Sequence, residues 1–146
     1  MDNNGITGEY RNTIDEKGRI MFPVKARTSL PENRLIITRG MDNCLWLFPP
    51  AEWEKFSEKI MKSASLSKAG SRAVLRRLTE QETEIDKSGR ISIPQSLREY
   101  ASLEKECIIL GQYAYFELWD VKKYDRYLED SEPDFAKALE ALGVGL

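Results

Sequence analysis

Ile14-Asp15-Glu16-Lys17-Gly18-Arg19-Ile20-Met21-Phe22-Pro23 returns as Ile85-Asp86-Lys87-Ser88-Gly89-Arg90-Ile91-Ser92-Ile93-Pro94. Asp86 follows Asp15 by 71 positions (86 − 15), and the same offset pairs Arg27 with Arg98, Ile37 with Ile108, Gly40 with Gly111 and Leu47 with Leu118. It reaches a following aromatic helix, where Trp53 meets Tyr124 and Phe56 meets Tyr127. The spacing predicts a gapless duplication. A unit of ~70 residues is marginal as an independent fold, so the two copies are expected to share one core.

Within each copy the elements read in the same order. Gly8 to Ile14 alternates as a strand, with Tyr10, Asn12 and Ile14 on one face. Asp15 to Gly18 is a hairpin signal, because aspartate bonds backbone two residues on and glycine accepts the positive φ that closes the turn. Arg19 to Phe22 is read as the returning strand. Pro23 opens a short helix to about Leu30. Leu35 to Thr38 and Cys44 to Phe48 follow as strands, then a helix with Trp53, Phe56 and Ile60 on one stripe. Small and polar residues from Ser63 to Ser71 mark a linker, with a helical pattern from Arg72 to Leu78. The second copy repeats the series, ending in a helix capped by Asp120. The organisation expected is a first repeat over 8–62, a linker helix over 63–78, a second repeat over 79–128 and an acidic tail over 129–146. Short connections make the sheet antiparallel, so the fold class is α+β, with a small barrel-like core and helices outside.

Composition narrows the function. Of 146 residues, 41% are hydrophobic and 32% charged, which fits a globular chain. No apolar run nears the ~20 residues that span a bilayer, and no secretory pattern is read at the start, so a cytoplasmic location is expected. Cys44 and Cys107 are isolated thiols. There is no histidine, the commonest general base. A nucleophile elbow, phosphate loop, dinucleotide fingerprint and zinc spacing are likewise absent from the sequence, so no enzyme, cofactor, metal or small-molecule substrate is expected. The net charge of −2 hides an uneven distribution: Lys62, Lys68, Arg72, Arg76 and Arg77 occur without an intervening acid, whereas Glu129, Asp130, Glu132 and Asp134 crowd the end.

Several of these residues together resemble the MraZ family of bacterial transcriptional regulators. They are Gly8-Glu9-Tyr10, Ile14-Asp15-x-x-Gly18-Arg19, Thr38-Arg39-Gly40 with Asp42 and Cys44, the Trp53 helix, and Ile85-Asp86-x-x-Gly89-Arg90-Ile91-x-Ile93-Pro94 followed by Leu97-Arg98 and Ala101. The resemblance covers about Gly8 to Tyr127. It implies two tandem repeats with the swapped-hairpin fold of the AbrB and SpoVT proteins, joined as an internal pseudo-dimer. It also implies a ring-shaped homo-oligomer, nucleoid-associated, that binds repeated boxes in double-stranded DNA and represses the division and cell-wall gene cluster. In that family the Asp-x-x-x-Arg segments supply the DNA-contacting face, which here means Asp15 with Arg19 and Asp86 with Arg90.

The residue chemistry suits that reading. A two-stranded ribbon fits the DNA major groove, and an arginine just past a turn can take guanine with two hydrogen bonds or hold phosphate. Arg19, Lys17, Lys25, Arg27, Arg90, Lys87 and Arg98 are the expected DNA-binding residues, with the more basic first copy as the main reader. Asp15, Gly18, Asp86 and Gly89 are expected to shape the turns. The alternative for each arginine is a purely structural pair with its aspartate. The basic stretch from Lys62 to Arg77 reads as a solvated helix face, and Trp46, Phe48, Trp53 and Phe56 as core or subunit interface. An oligomeric interaction scaffold with no DNA role is the competing function.

Overall fold

A computed structural model describes residues 6–28 and 30–145. Its elements run β1 (Glu9–Thr13), β2 (Arg19–Met21), α1 (Val24–Arg27), β3 (Arg34–Arg39), β4 (Leu45–Phe48), α2 (Pro50–Ser63) and α3 (Ala69–Arg77). The second copy supplies β5 (Gln81–Glu84), β6 (Arg90–Ser92), α4 (Gln95–Tyr100), β7 (Glu106–Gly111), β8 (Phe116–Asp120) and α5 (Val121–Ala141). Pro23, Pro49 and Pro94 cap α1, α2 and α4, where the missing N–H costs no hydrogen bond. Asp120 caps α5 by accepting from the Lys123 backbone N–H.

The two copies are interleaved. Six strands form one antiparallel sheet in the order β1-β7-β8-β4-β3-β5, and β2 and β6 form a separate two-stranded ribbon. β1 thus pairs with β7 of the other copy, and β5 pairs with β3. The expected hairpin of β1 with β2 is therefore corrected: the turn forms, but its two strands diverge to partners in the opposite copy. This is the expected swapped-hairpin pseudo-dimer, but its core is not a closed barrel. The hydrogen-bonded ladders do not close, because β1 and β5 remain the sheet's edges.

An internal pseudo-two-fold relates the halves. Ile20 opposes Ile91 in the ribbon and Trp46 opposes Glu117 where β4 meets β8, each residue facing its own counterpart at the 71-residue offset. The gapless register breaks in one place. Leu35 and Ile37 point into the same core as Cys107 and Ile109, so β3 maps onto β7 with an offset of 72 (109 − 37). Counted from the equivalent Arg27 and Arg98, the second copy has one extra residue before β7, and it has one fewer between β7 and β8. Ile37 therefore corresponds to Ile109, not Ile108, which faces the other side.

Three layers result. The ribbon, α1 and α4 cover one sheet face over a core that includes Ile20, Phe22, Leu47, Ile91, Leu97 and Phe116. α2 and α5 cover the other face through Trp46, Phe48, Trp53, Trp119 and Val121. Burial on both faces explains why the central strands are continuously apolar despite being antiparallel. Such runs lack the polar–apolar alternation that pins register, so a slip corrected a few residues later left no trace in the pattern.

The helix boundaries also differ from expectation. α1 stops at Arg27, and α3 begins three residues before the predicted Arg72. The segment expected as a tail after Asp130 is helical to Ala141 and passes through Pro133.

Candidate nucleic-acid interface

The two turns lie at opposite ends of the β2–β6 ribbon. In the first, the Gly18 N–H donates to the Asp15 carbonyl (3.0 Å) and the Asp15 N–H to the Arg19 carbonyl (2.9 Å). Oδ1 of Asp15 accepts from the backbone N–H groups of Lys17 (3.0 Å) and Arg19 (2.9 Å), and Oδ2 accepts from Arg19 Nε (2.9 Å). The second turn repeats this, with Asp86 Oδ1 accepting from Ser88 (2.8 Å) and Arg90 (2.9 Å). Its arginine pair is looser, with Arg90 Nε 3.4 Å from Asp86 Oδ2. Gly18 and Gly89 adopt φ of +84° and +86°, the left-handed conformation the turns require. The backbone N–H of Arg19, and likewise that of Arg90, holds the adjoining carboxyl below its ordinary pKa.

Each aspartate thus shapes its turn; Asp15 also orients Arg19 by a hydrogen bond, whereas Arg90 Nε meets Asp86 only as an ion pair and has no hydrogen-bond partner among the described residues. The structural pairing expected as an alternative is present, and it coexists with exposure: the Arg19 and Arg90 side chains are about one-third accessible. Only Nε of Arg19 is engaged, so both Nη atoms lack a hydrogen-bond partner among the described residues.

Ribbon register decides what stands beside them. Arg19 opposes Ser92 and Met21 opposes Arg90. Directly opposed residues share a face, so Arg19, Met21, Arg90 and Ser92 line the outer side while Ile20 and Ile91 point inward. The two arginines are diagonal neighbours, roughly 7–8 Å apart by strand geometry and somewhat closer at Cβ. The copies therefore contribute to one continuous face. Lys17 and Lys87 stand exposed on the turns, and Lys25 is exposed on α1.

Arg98 and Arg27 sit elsewhere. Arg98 reaches the opposite copy's turn, donating from Nε to the Ile93 carbonyl (3.0 Å) and from Nη1 to the Glu16 carbonyl (3.4 Å). Arg27 lies against the second turn, its guanidinium 3.1 Å from where a Cβ on Gly89 would fall. Its buried Nε has no hydrogen-bond partner among the described residues. Each turn is thus backed by an arginine from the other copy's short helix. Sequence reasoning missed this crossing and the exposed Met21. One available signal was that each three-residue strand carries a single inward isoleucine, too little to bury alone.

Among the described residues no group of three histidine, cysteine, aspartate or glutamate side chains could hold a metal ion, and no helix is long and apolar enough to cross a membrane.

Comparison with known proteins agrees with the duplicated architecture. The family model described as "MraZ protein, putative antitoxin-like" matches residues 6–77 and again 78–144. A Treponema denticola protein named Transcriptional regulator MraZ is 64% identical over 140 residues, covering 94% of this chain and 97% of the relative. Proteins of the same name from Treponema pallidum and Natranaerobius thermophilus are 49% and 39% identical, over 97% and 92% of this chain and 97% and 94% of their own lengths. With two tandem copies matched, crossed strands and paired aspartate–arginine turns, this chain belongs to the MraZ family.

Proposed function

We propose that this chain is a transcriptional regulator that reads double-stranded DNA with the outer face of the β2–β6 ribbon. The observation that carries the reading is the placement of Arg19 and Arg90 as diagonal neighbours on that face, each in an ion pair with its own turn aspartate. The relatives' shared name, Transcriptional regulator MraZ, supports the regulatory role.

The major groove admits a two-stranded β-ribbon. An oriented arginine with unpaired Nη atoms suits guanine, each good bidentate pair contributing about 1–3 kcal/mol of discrimination. Lys17, Lys87 and Lys25 surround the ribbon and suit phosphate, which positions the protein without reading sequence. Arg27 and Arg98 act by holding the turns. A subunit of net charge −2 binds a polyanion weakly alone. A closed ring offering the ribbon repeatedly to repeated promoter boxes gains affinity through effective concentration, on the order of 10²–10⁴. Such a regulator works as a binding protein at the nucleoid, without cofactor or substrate, and would repress the division and cell-wall cluster.

The test begins with selection of bound fragments from random duplex DNA, followed by titration of the selected box at several salt concentrations. Arg19→Ala is expected to abolish specific binding while the oligomer survives. Wild-type affinity should fall with salt at a log–log slope near −0.9 per phosphate contact. Undiminished specific affinity of the variant, or a flat salt response, overturns the reading.

A further inference from the structure

Among the described residues nothing buries the distal half of α5. From Leu128 to Gly145 no residue is buried, and only Ser131 and Leu139 are even partly covered. Leu128, Phe135, Leu139 and Leu142 recur at helical spacing as one apolar stripe, with Phe135 62% and Leu142 73% exposed. Acids flank it: Glu129, Asp130, Glu132, Asp134 and Glu140 stand against Lys137 alone. A solvent-surrounded helix of this length is marginal in water, and Pro133 inside it removes one more hydrogen bond.

A matching surface lies on the other copy's side of the fold. α2 and α3 leave between them an open groove lined by Lys59, Ile60, Ala64, Gly70 and Val74. It continues past Ile60 and Val74 into an apolar cavity of about 260 Å³ bordered by Met41, Phe56 and Arg77. The flanking chain from Lys59 to Leu78 carries six bases and no acid. Apolar floor and basic rim thus complement apolar stripe and acidic flanks in both shape class and charge.

We infer that the distal half of α5 seats in the α2–α3 groove of a second copy of this chain. Donor and acceptor are different surfaces of one subunit, so the contact either exchanges reciprocally about a two-fold or propagates from copy to copy until the rotation closes. The inference rests on the proposed homo-oligomer and assigns its contact surface; the ribbon stays outside it.

Mass photometry of the full-length chain, first as wild type and then as variants, tests it. Phe135→Glu and Val74→Glu each change an exposed residue, so the fold, checked by circular dichroism, is retained. Each is expected to weaken association at least tenfold, as is Lys59→Glu combined with Arg77→Glu. Adding Glu132→Arg and Asp134→Arg to that last pair is expected to restore the assembly. A monomeric wild type overturns both the oligomer and this contact. A wild-type oligomer that persists unchanged in Phe135→Glu and Val74→Glu overturns only the contact, as does failure of the charge-swapped protein to reassemble.

Discussion

Replacing Gly18 with alanine should cost markedly more stability than the same change at Gly89, although the two residues occupy equivalent turns with nearly equal φ. The conformational strain is shared: a side chain in the left-handed region costs about 1–2 kcal/mol at either site. The surroundings differ. At Gly18 a Cβ would stand 2.7 Å from the Ile93 carbonyl oxygen and 2.7 Å from Arg98 Nε. That carbonyl cannot easily withdraw, because the Ile93 N–H donates to the Gly18 carbonyl at 2.7 Å and Arg98 Nε donates to the Ile93 oxygen at 3.0 Å. Overpacking of this kind adds about 1–3 kcal/mol. At Gly89 the nearest atoms belong to the Arg27 guanidinium at 3.1–3.2 Å, the far end of a flexible side chain. A few tenths of an ångström of rotation relieve them, leaving mainly the strain. Gly18→Ala is thus expected to destabilise by about 2–5 kcal/mol and Gly89→Ala by about 1–2 kcal/mol. Equilibrium urea unfolding of both variants measures the gap. Adding Arg98→Ala to Gly18→Ala should recover none of the backbone clash. Equal losses at the two glycines would refute the argument that the Ile93 carbonyl, and not the turn conformation, sets the difference.

Three further outcomes are expected. Ile20 and Ile91 are 1% and 0% exposed and face each other across the pseudo-two-fold; each change to alanine should cost about 2–5 kcal/mol, and the double variant should depart from additivity by at least about 0.5 kcal/mol in the same unfolding assay. Asp15 and Asp86 have folded pKa values below the ordinary 3.8, so their contribution is present above that value and is lost as pH falls through the folded one. Urea midpoints of Asp15→Asn should accordingly trail wild type near neutrality and converge with it in strong acid; a gap independent of pH would contradict this. Burial pushes the Cys107 thiol up to about 12 and drives Cys44 higher still, with Glu117 adding to the effect. Both should resist alkylation at about pH 8 until the chain unfolds, as mass spectrometry would show.

The turns were the most legible part of the molecule. Asp15 and Gly18, like Asp86 and Gly89, act through bonds within five residues, so their roles follow from residue type and spacing. The apolar stripe of Trp53, Phe56 and Ile60 was legible for the same reason. The distal part of α5 was legible only as a tail in which Phe135, Ala138, Leu139 and Leu142 could form one or two amphipathic turns, whereas the helix continues from Val121 to Ala141 through Pro133. The sequence shows Arg27 and Arg98 only as charges on short helices; their cross-copy positions depend on how the halves meet.

The sequence by itself determined the duplication, the order of elements in each copy and the aspartate–arginine turns, since all of these rest on local chemistry repeated at a constant distance. Only the tertiary structure decided which strand pairs with which. β1 and β2 leave one turn for different partners, β1 pairing with β7 and β2 with β6. That exchange places Arg19 beside Arg90, sends Arg98 and Arg27 under the opposite turns and shifts β7 by one residue against β3. Pairing of this kind is set by the closure of a shared core, a long-range condition that no local pattern carries.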